Sequence, residues 1–231
     1  MDVGRLIATA RAKGQAALNE HESKLALAAH GVPVSAEGLA QSADQAVELA
    51  RELGFPVALK ACAASLMHKS EGGWVRLGLG DETAVRAAYD DIAGRAARAG
   101  LALDGVLVQE MVGGNRELVL GLSRDPQFGP CVMLGLGGVL AEALADTVFR
   151  MAPLERLEVL DMLEQLRCRP MLAAFRGQSP ADLEALCAAV IGLGRLGLEH
   201  DAVVEVDVNP LIITARGRVK AVDGLVVLAR S

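Results

Sequence analysis

Near the C-terminus the run VVEVDVNP sets three oxygen-bearing side chains at alternate positions: Glu205, Asp207 and Asn209. Successive side chains of a strand point to opposite faces. These three therefore share one face, and Val204, Val206 and Val208 share the other. The Ala215-Arg216-Gly217 stretch that follows has the make-up of a three-residue hairpin loop, with Gly217 suited to a left-handed position. Closing the loop there pairs Thr214 with Arg218 and brings Asn209 opposite Asp223. Directly opposed residues hold their Cβ atoms about 5 Å apart on the same face. An amide oxygen and a carboxylate so placed suit a hard ion such as Mg²⁺, which keeps some waters and takes further ligands from phosphates. The same alternation fits a solvated strand face equally well. Pro210 is also able to insert a bulge and shift the register.

Other groups with chemical potential lie upstream. Lys60 ends the apolar run FPVALK. A lysine there is either a snorkelling surface residue or an ammonium anchored on a rigid element to grip phosphate. Glu110 and Glu117 flank Gly113-Gly114-Asn115. They read either as outward-facing strand charges or as a hinge strand followed by a carboxylate that accepts from ribose hydroxyls. Burying Glu110 in its apolar run is costly unless it has a partner. In LMHKSEGG, His68 and Lys69 stand beside Gly72 and Gly73. That is the composition of a polar turn, or of a loop whose imidazole acts as a nucleophile near neutral pH. The glycine-rich MLGLGGVLAEAL contains no phosphate-loop pattern and no clean dinucleotide fingerprint.

The elements that would position these groups alternate between helix and strand. Asn19 with Glu22, Ser42 with Gln45, Asp81, and Ser179-Pro180 with Asp182 are helix starts, and Gly31, Gly54 and Gly100 are stops. Between them PVALKA, WVRLGL, GVLVQEMV, RELVLGL, PCVML, AVVEVDVNPLIIT and RVKAVDGLVVL read as strands. Gly113-Gly114-Asn115 reads as a hairpin turn joining GVLVQEMV to RELVLGL. Mixed elements with several hairpins give an α+β class in two lobes. The division is expected near Gly105, giving 1–105 and 106–231.

Composition narrows the function further. A net charge of −6 and 3% aromatics argue against nucleic-acid binding, which needs a basic footprint and usually stacking rings. The four cysteines, Cys62, Cys131, Cys168 and Cys187, have no C-x-x-C spacing and read as buried thiols of a reducing compartment. The N-terminus lacks a signal-peptide core, and the apolar stretches are too short and glycine-broken to span a bilayer. A cytoplasmic protein with no membrane partner is expected.

Taken in order, FPVALK, HKSEGG, VLVQEMVGGNRELVLGLSRDPQFGPCVMLGLGGVLAEALADTVFRMAPL, FRG and VDVNPL…VDG resemble the ATP-grasp module of the NDP-forming acyl-CoA synthetases. ADP-forming acetate–CoA ligase and the β chain of succinyl-CoA synthetase belong to that group. The resemblance runs from about Glu20 onward. It implies an ATP-grasp fold of two α+β lobes with ATP/ADP bound between them. It implies that Lys60 grips the phosphates, that Glu110, Met111 and Val112 form the adenine hinge, and that Glu117 holds the ribose. It also implies that Asn209 and Asp223 bind Mg²⁺, and that Asp207 stands close to the phosphoryl-transfer centre. His68 matches a histidine that shuttles a phosphoryl group on a mobile loop. The chain departs from the family's more frequent HKSD-x-GGV at Trp74, which puts the swing of that loop in question. His21, His30 and His200 match nothing in the pattern and read as surface residues.

The resemblance leaves no length for a CoA-binding or a ligase domain. It therefore implies a hetero-oligomer with an α subunit that carries both. Two other functions fit the same fold: a carboxylate–amine ligase, and a non-catalytic nucleotide-binding regulatory subunit.

Overall fold

Local capping chemistry sets most helix boundaries in the computed structural model, which describes residues 2–66, 73–138 and 141–229. Asp2 Oδ1 accepts from the Arg5 amide at 3.0 Å and opens α1 (Val3–Ala12), an element that the sequence punctuation does not reveal. Then come α2 (Glu20–Ala29) and β1 (Glu37–Ala40). Ser42 Oγ accepts from the Gln45 amide at 3.2 Å and opens α3 (Ala43–Leu53). The Gln45 side chain returns to the Gln41 amide at 2.8 Å, so this end of the expected capping box falls one residue early. After β2 (Val57–Cys62) and β3 (Val75–Leu79), Asp81 caps α4 (Glu82–Ala99), which stops on a left-handed Gly100.

The second half runs β4 (Gly105–Glu110), β5 (Arg116–Asp125), β6 (Gly129–Leu136), α5 (Ala141–Leu144), β7 (Thr147–Met151) and α6 (Arg156–Gln165). A short 3-10 turn (Arg169–Leu172) precedes α7 (Leu183–Glu199), β8 (Val203–Ile213), β9 (Val219–Ala221) and β10 (Leu225–Leu228). Helix α7 starts at the Asp182 cap and not at Ser179-Pro180. The reason is local: the Ser179 amide is already committed to the Ala215 carbonyl and the Asp182 amide to that of Gly217. The chain follows the hairpin loop up to the cap.

The described residues fall into two compact units. The smaller comprises Asn19–His21 and Ser35–Met111. Its antiparallel sheet has the order β1-β4-β2-β3. Val57, Leu59 and Ala61 of β2 join Val106 and Val108 of β4 in one core with Ala46, Val47 and Ala50 of α3 and Val85, Ala88 and Ile92 of α4. Each fully buried aliphatic side chain of Val or Ile size contributes about 1.5–3 kcal/mol, which fixes the face of the sheet that the helices cover. Strand alternation then sends Lys60 to the opposite face.

The larger unit comprises residues 1–18, 22–34 and 112–231. Its sheet has the order β10-β8-β5-β6-β7, with β9 added to β8. Leu186, Val190, Leu193 and Leu196 of α7 and Val159, Met162 and Leu163 of α6 pack in one core with Leu120 and Leu122 of β5 and Val206 and Val208 of β8.

Two expectations are corrected here. The division does not fall at 105/106: β4 is a central strand of the smaller sheet, and most of the first 34 residues belong to the larger unit. Gly113-Gly114-Asn115 is not a hairpin turn. Strand β4 has both edges taken by β1 and β2, and β5 has both taken by β6 and β8, so neither has an edge left for the other.

Candidate functional site

In the smaller unit, Lys60 is buried on β2, and its Nζ lies 2.7 Å from Glu20 Oε1, with 7% and 2% of the two side chains exposed. Around this pair, Asn19 Nδ2 donates to Asp104 Oδ2 at 3.0 Å, and His21 Nδ1 stands 3.1 Å from Glu37 Oε1. Glu110 ends β4. Its Oε1 accepts from the Ala36 amide at 2.7 Å, and its own amide donates to the Ala36 carbonyl at 3.0 Å. The carboxylate in the apolar run thus has a backbone partner that only the fold supplies. Met111, the next residue, is exposed. Trp74 packs half-buried against the smaller core, and its carbonyl accepts from the Ala61 amide at 2.9 Å. His68 lies outside the described residues.

In the larger unit the hairpin closes as its sequence requires. Gly217 has φ +80°, the Thr214 amide donates to the Arg218 carbonyl at 2.8 Å, and the Gly217 amide returns to the Thr214 carbonyl at 2.9 Å. Pairings of Leu211 with Ala221 and of Asp207 with Leu225 bracket the strand, and both belong to one register. That register sets Asn209 opposite Asp223. The bulge allowed for Pro210 is present, but on the other side of β8: the shift is against β5, between Leu118 and Leu120. Glu205, Asp207 and Asn209 are all exposed on one face, as alternation demands. Asp223 is half-buried, its Oδ1 accepts from the Gly224 amide at 3.0 Å, and Lys24 Nζ donates to the neighbouring Val222 carbonyl at 3.3 Å.

The electrostatics of this face favour a cation. The Asp207 carboxyl is pushed above its ordinary range by partial loss of hydration, then by the charges of Asp223 and Glu205. An amide and carboxylates in this arrangement are hard oxygen donors, so the residues present fit a magnesium ion.

An open cavity of about 600 Å³ also lies in the larger unit, lined by Asn115, Arg116, Glu117, Gly138, Asp146 and Cys168 among others. This is the size range of small-molecule sites. Arg116 is buried and donates to the carbonyls of Met171, Ala173, Ser179 and Thr214, which fixes the wall at the start of β5. Burial opposes ionisation of Asp146, but amide donation from Arg167 at 2.9 Å and Cys168 at 2.7 Å holds its carboxyl below the usual range. Burial, then the hydrogen bond to Asp146, pushes the Cys168 thiol up to about 12.

A profile described as an ATP-grasp domain matches residues 9–228. The chain belongs to the ATP-grasp family. It is 35% identical over 213 residues to the β subunit of ADP-forming acetate–CoA ligase I of Pyrococcus furiosus, covering 91% of each chain. It is 38% identical over 194 residues to ADP-forming acetate–CoA ligase I of Archaeoglobus fulgidus; this covers 83% of the chain but only 28% of that longer relative. A structure of the dinucleotide-forming acetyl-coenzyme A synthetase 1 of Candidatus Korarchaeum cryptofilum superimposes with a TM-score of 0.86 at 38% identity, covering 99% of this chain and 100% of that one. That structure is a complex with coenzyme A and Mg-AMPPCP, with its phosphohistidine segment pointing towards the nucleotide-binding site.

Within this ATP-grasp chain, the structure brings Asp207, Asn209 and Asp223 onto one sheet face and sets Glu117 in a cavity wall. Lys60, Glu110 and Met111 belong to the smaller unit, whereas Val112 and Glu117 belong to the larger. Sequence reasoning misses Glu20, Arg116 and Asp146. Their partners lie far along the chain or on the backbone, where spacing carries no signal. A buried charge next to an apolar run, as at Arg116 before ELVLGL, is the one cue available. It also misreads His30, which is buried, and His21 and His200, which are half-buried. Among the described residues no helix is long and apolar enough to cross a membrane. The four cysteines are free; Cys62 and Cys187 are buried as expected, and Cys131 and Cys168 are half-buried.

Proposed function

We propose that this ATP-grasp chain is the nucleotide-binding subunit of an NDP-forming acyl-CoA synthetase (acid + CoA + ATP = acyl-CoA + ADP + phosphate). It works with an α subunit that carries the CoA-binding and ligase domains. The match over nearly the whole chain to a relative that is itself a β subunit supports this reading. The observation that carries it is the register that sets Asn209 opposite Asp223 beside an Asp207 whose carboxyl is raised by lost hydration and then by the charges of Asp223 and Glu205.

In this reading Lys60 serves the phosphates, Glu110, Met111 and Val112 the adenine edge, Glu117 the ribose, and Asn209 and Asp223 are magnesium ligands. A bound Mg²⁺ supplies charge neutralisation on the phosphate oxygens. The chain's own contribution is position and electrostatics: Lys60 on a rigid strand offsets phosphate charge, and Asp207 stands by the transfer centre. His68 is the acceptor. Its imidazole nitrogen forms the N–P bond as the bond from the γ-phosphorus to the bridging oxygen breaks and ADP leaves. Lys69 is the adjacent cation that offsets the phosphorylated ring.

The test is labelling with γ-³²P-ATP, run alongside calorimetry with ADP and Mg²⁺. The wild-type chain should take up acid-labile, base-stable phosphate. His68→Asn should take up none yet bind nucleotide with unchanged affinity, and should form no acyl-CoA when the partner is supplied. Normal turnover by His68→Asn with the partner present rejects the shuttle. Absence of nucleotide binding by the wild-type chain rejects the whole proposal.

A further inference from the structure

We propose that His30, Glu199 and His200 form a binding site for a divalent transition-metal ion of the zinc class, separate from the nucleotide residues. The three residues meet in the larger unit, and one ligand atom of each lies within 4.8 Å of the others. Two imidazoles with a carboxylate are a donor set that suits zinc and its neighbours and not magnesium.

The sequence makes this meeting possible at one residue. A Cβ on Gly192 of α7 would stand 1.9 Å from the His30 carbonyl oxygen, so only glycine lets the end of α2 approach the helix this closely. Helix α7 ends at Glu199 with His200 as its C-cap, and His30 directly follows α2. Two helix C-termini therefore converge on the cluster, and each carries partial negative charge that favours a cation.

The hydrogen bonds of His30 make the case specific. Its Nδ1 lies 2.8 Å from the Ala26 carbonyl oxygen, which can only accept, so Nδ1 carries a proton. In the neutral ring Nε2 is then a lone pair, yet it faces Glu199 Oε2 at 3.1 Å. A contact of this length is bridged either by a proton, as an imidazolium–carboxylate pair, or by a metal ion, and the zinc titration separates the two. Metal-bound histidines characteristically donate their second ring N–H to a carbonyl or carboxylate, as Nδ1 does here. Ligand atoms bound about 2.0–2.2 Å from a tetrahedral zinc stand roughly 3.3 Å apart, close to the separation found. The rings of His30 and His200 are edge-to-face at 81° with centroids 5.6 Å apart, which lets their nitrogens converge without stacking.

Arg195 Nε approaches the second Glu199 oxygen, Oε1, at 3.8 Å and leaves Oε2 to His30. Asp2 stands near His200 and can supply a further oxygen, and water can take an open position. The exposure of the Glu199 side chain, 56%, gives an ion a way in from solvent.

The experiment is a zinc titration of the chelator-stripped full chain without nucleotide, with Co²⁺ as a spectroscopic substitute. The wild type should bind one equivalent of Zn²⁺, gain thermal stability from it, and give the d–d absorption of a low-coordinate Co²⁺ site. Glu199→Gln, on an exposed side chain, and His200→Asn, on a half-buried one, should each weaken zinc at least tenfold and remove the thermal gain. Asp223→Asn should leave zinc uptake unchanged, and excess Mg²⁺ should not displace the ion. If the wild type takes up no zinc, or His200→Asn takes up as much, the cluster is an imidazole–carboxylate pair and the proposal falls. Neither result bears on the phosphohistidine assay.

Discussion

Lys60 of the smaller unit has 7% of its side chain exposed and its ammonium 2.7 Å from Glu20, whereas Asp207 of the larger unit shares an exposed sheet face with Glu205, Asn209 and the nearby Asp223. The first region joins opposite charges out of water, and the second gathers like charges at its edge. The two differ in what they ask of a ligand. A buried ion pair is already matched in the free chain, so a phosphate that recruits Lys60 must compete with Glu20. The acidic face is under repulsion in the free chain, so a cation arriving there relieves a cost already present. Under the proposed function, binding of the metal should therefore be the easier half of loading Mg·nucleotide, and engagement of Lys60 the more selective half.

The comparison breaks most sharply at Lys60→Met. Removing one partner of this buried ion pair should cost about 3–5 kcal/mol of stability, read by urea unfolding. The double variant Lys60→Met/Glu20→Leu should recover most of that stability and still bind nucleotide poorly. If it binds normally, Lys60 is structural and the phosphate role assigned to it is wrong.

Asp146 sharpens the comparison as a third case: a buried carboxylate held chiefly by backbone amides, with the Arg167 charge a smaller aid. Asp146→Asn should cost about 1.5–3 kcal/mol, the worth of hydrogen bonds to a charged group. Because its folded carboxyl is held below the ordinary 3.8, its contribution is present above that pH and is lost as the pH falls through the folded value. The difference between wild type and Asp146→Asn should accordingly shrink in acid, measured by urea midpoints across pH.

Which of these features was legible in the sequence follows from how far apart their determinants lie. Asn209 and Asp223 could be matched because a three-residue loop with Gly217 at φ +80° fixes the register locally, and alternation carries it down the strands. Helix α4 was legible from Asp81 and Gly100 for the same reason. The Glu20 partner of Lys60 was not, since 40 positions separate them. Nor was the fate of Gly113-Gly114-Asn115: the turn residues fit a hairpin, but strand pairing is decided by which edges are already taken, and no local run records that. Helix α1 escaped because its short apolar set, Val3, Ile7 and Ala10, is diluted by alanine and glycine.

The acidic face should respond less in stability and more in binding. Asp223→Asn removes a carboxylate from the hard-oxygen set while keeping its shape. Affinity for ADP in the presence of Mg²⁺ should fall at least about tenfold, roughly 1.4 kcal/mol, and affinity without metal should change little. Equal losses with and without Mg²⁺ would move Asp223 out of the metal site.

Asp207→Asn should show the smallest effect and the opposite sign. Its carboxyl is raised above 3.8 in the folded chain by lost hydration and by Asp223 and Glu205, so the folded state holds the proton more tightly than the unfolded chain. The stability tied to that proton is full below 3.8 and disappears as the pH rises through the folded value, leaving repulsion at neutral pH. The asparagine cannot ionise and should stabilise the metal-free chain at pH 7 by about 0.2–1 kcal/mol, the scale of a like-charge contact on a sheet. The gain should disappear in acid, where the wild-type carboxyl is protonated. Adding Mg²⁺ at pH 7 should reduce it too, because the cation screens the same repulsion in the wild type. A gain that persists in acid would trace to packing, and a loss at pH 7 would mean that a cation inside the chain already balances this carboxylate.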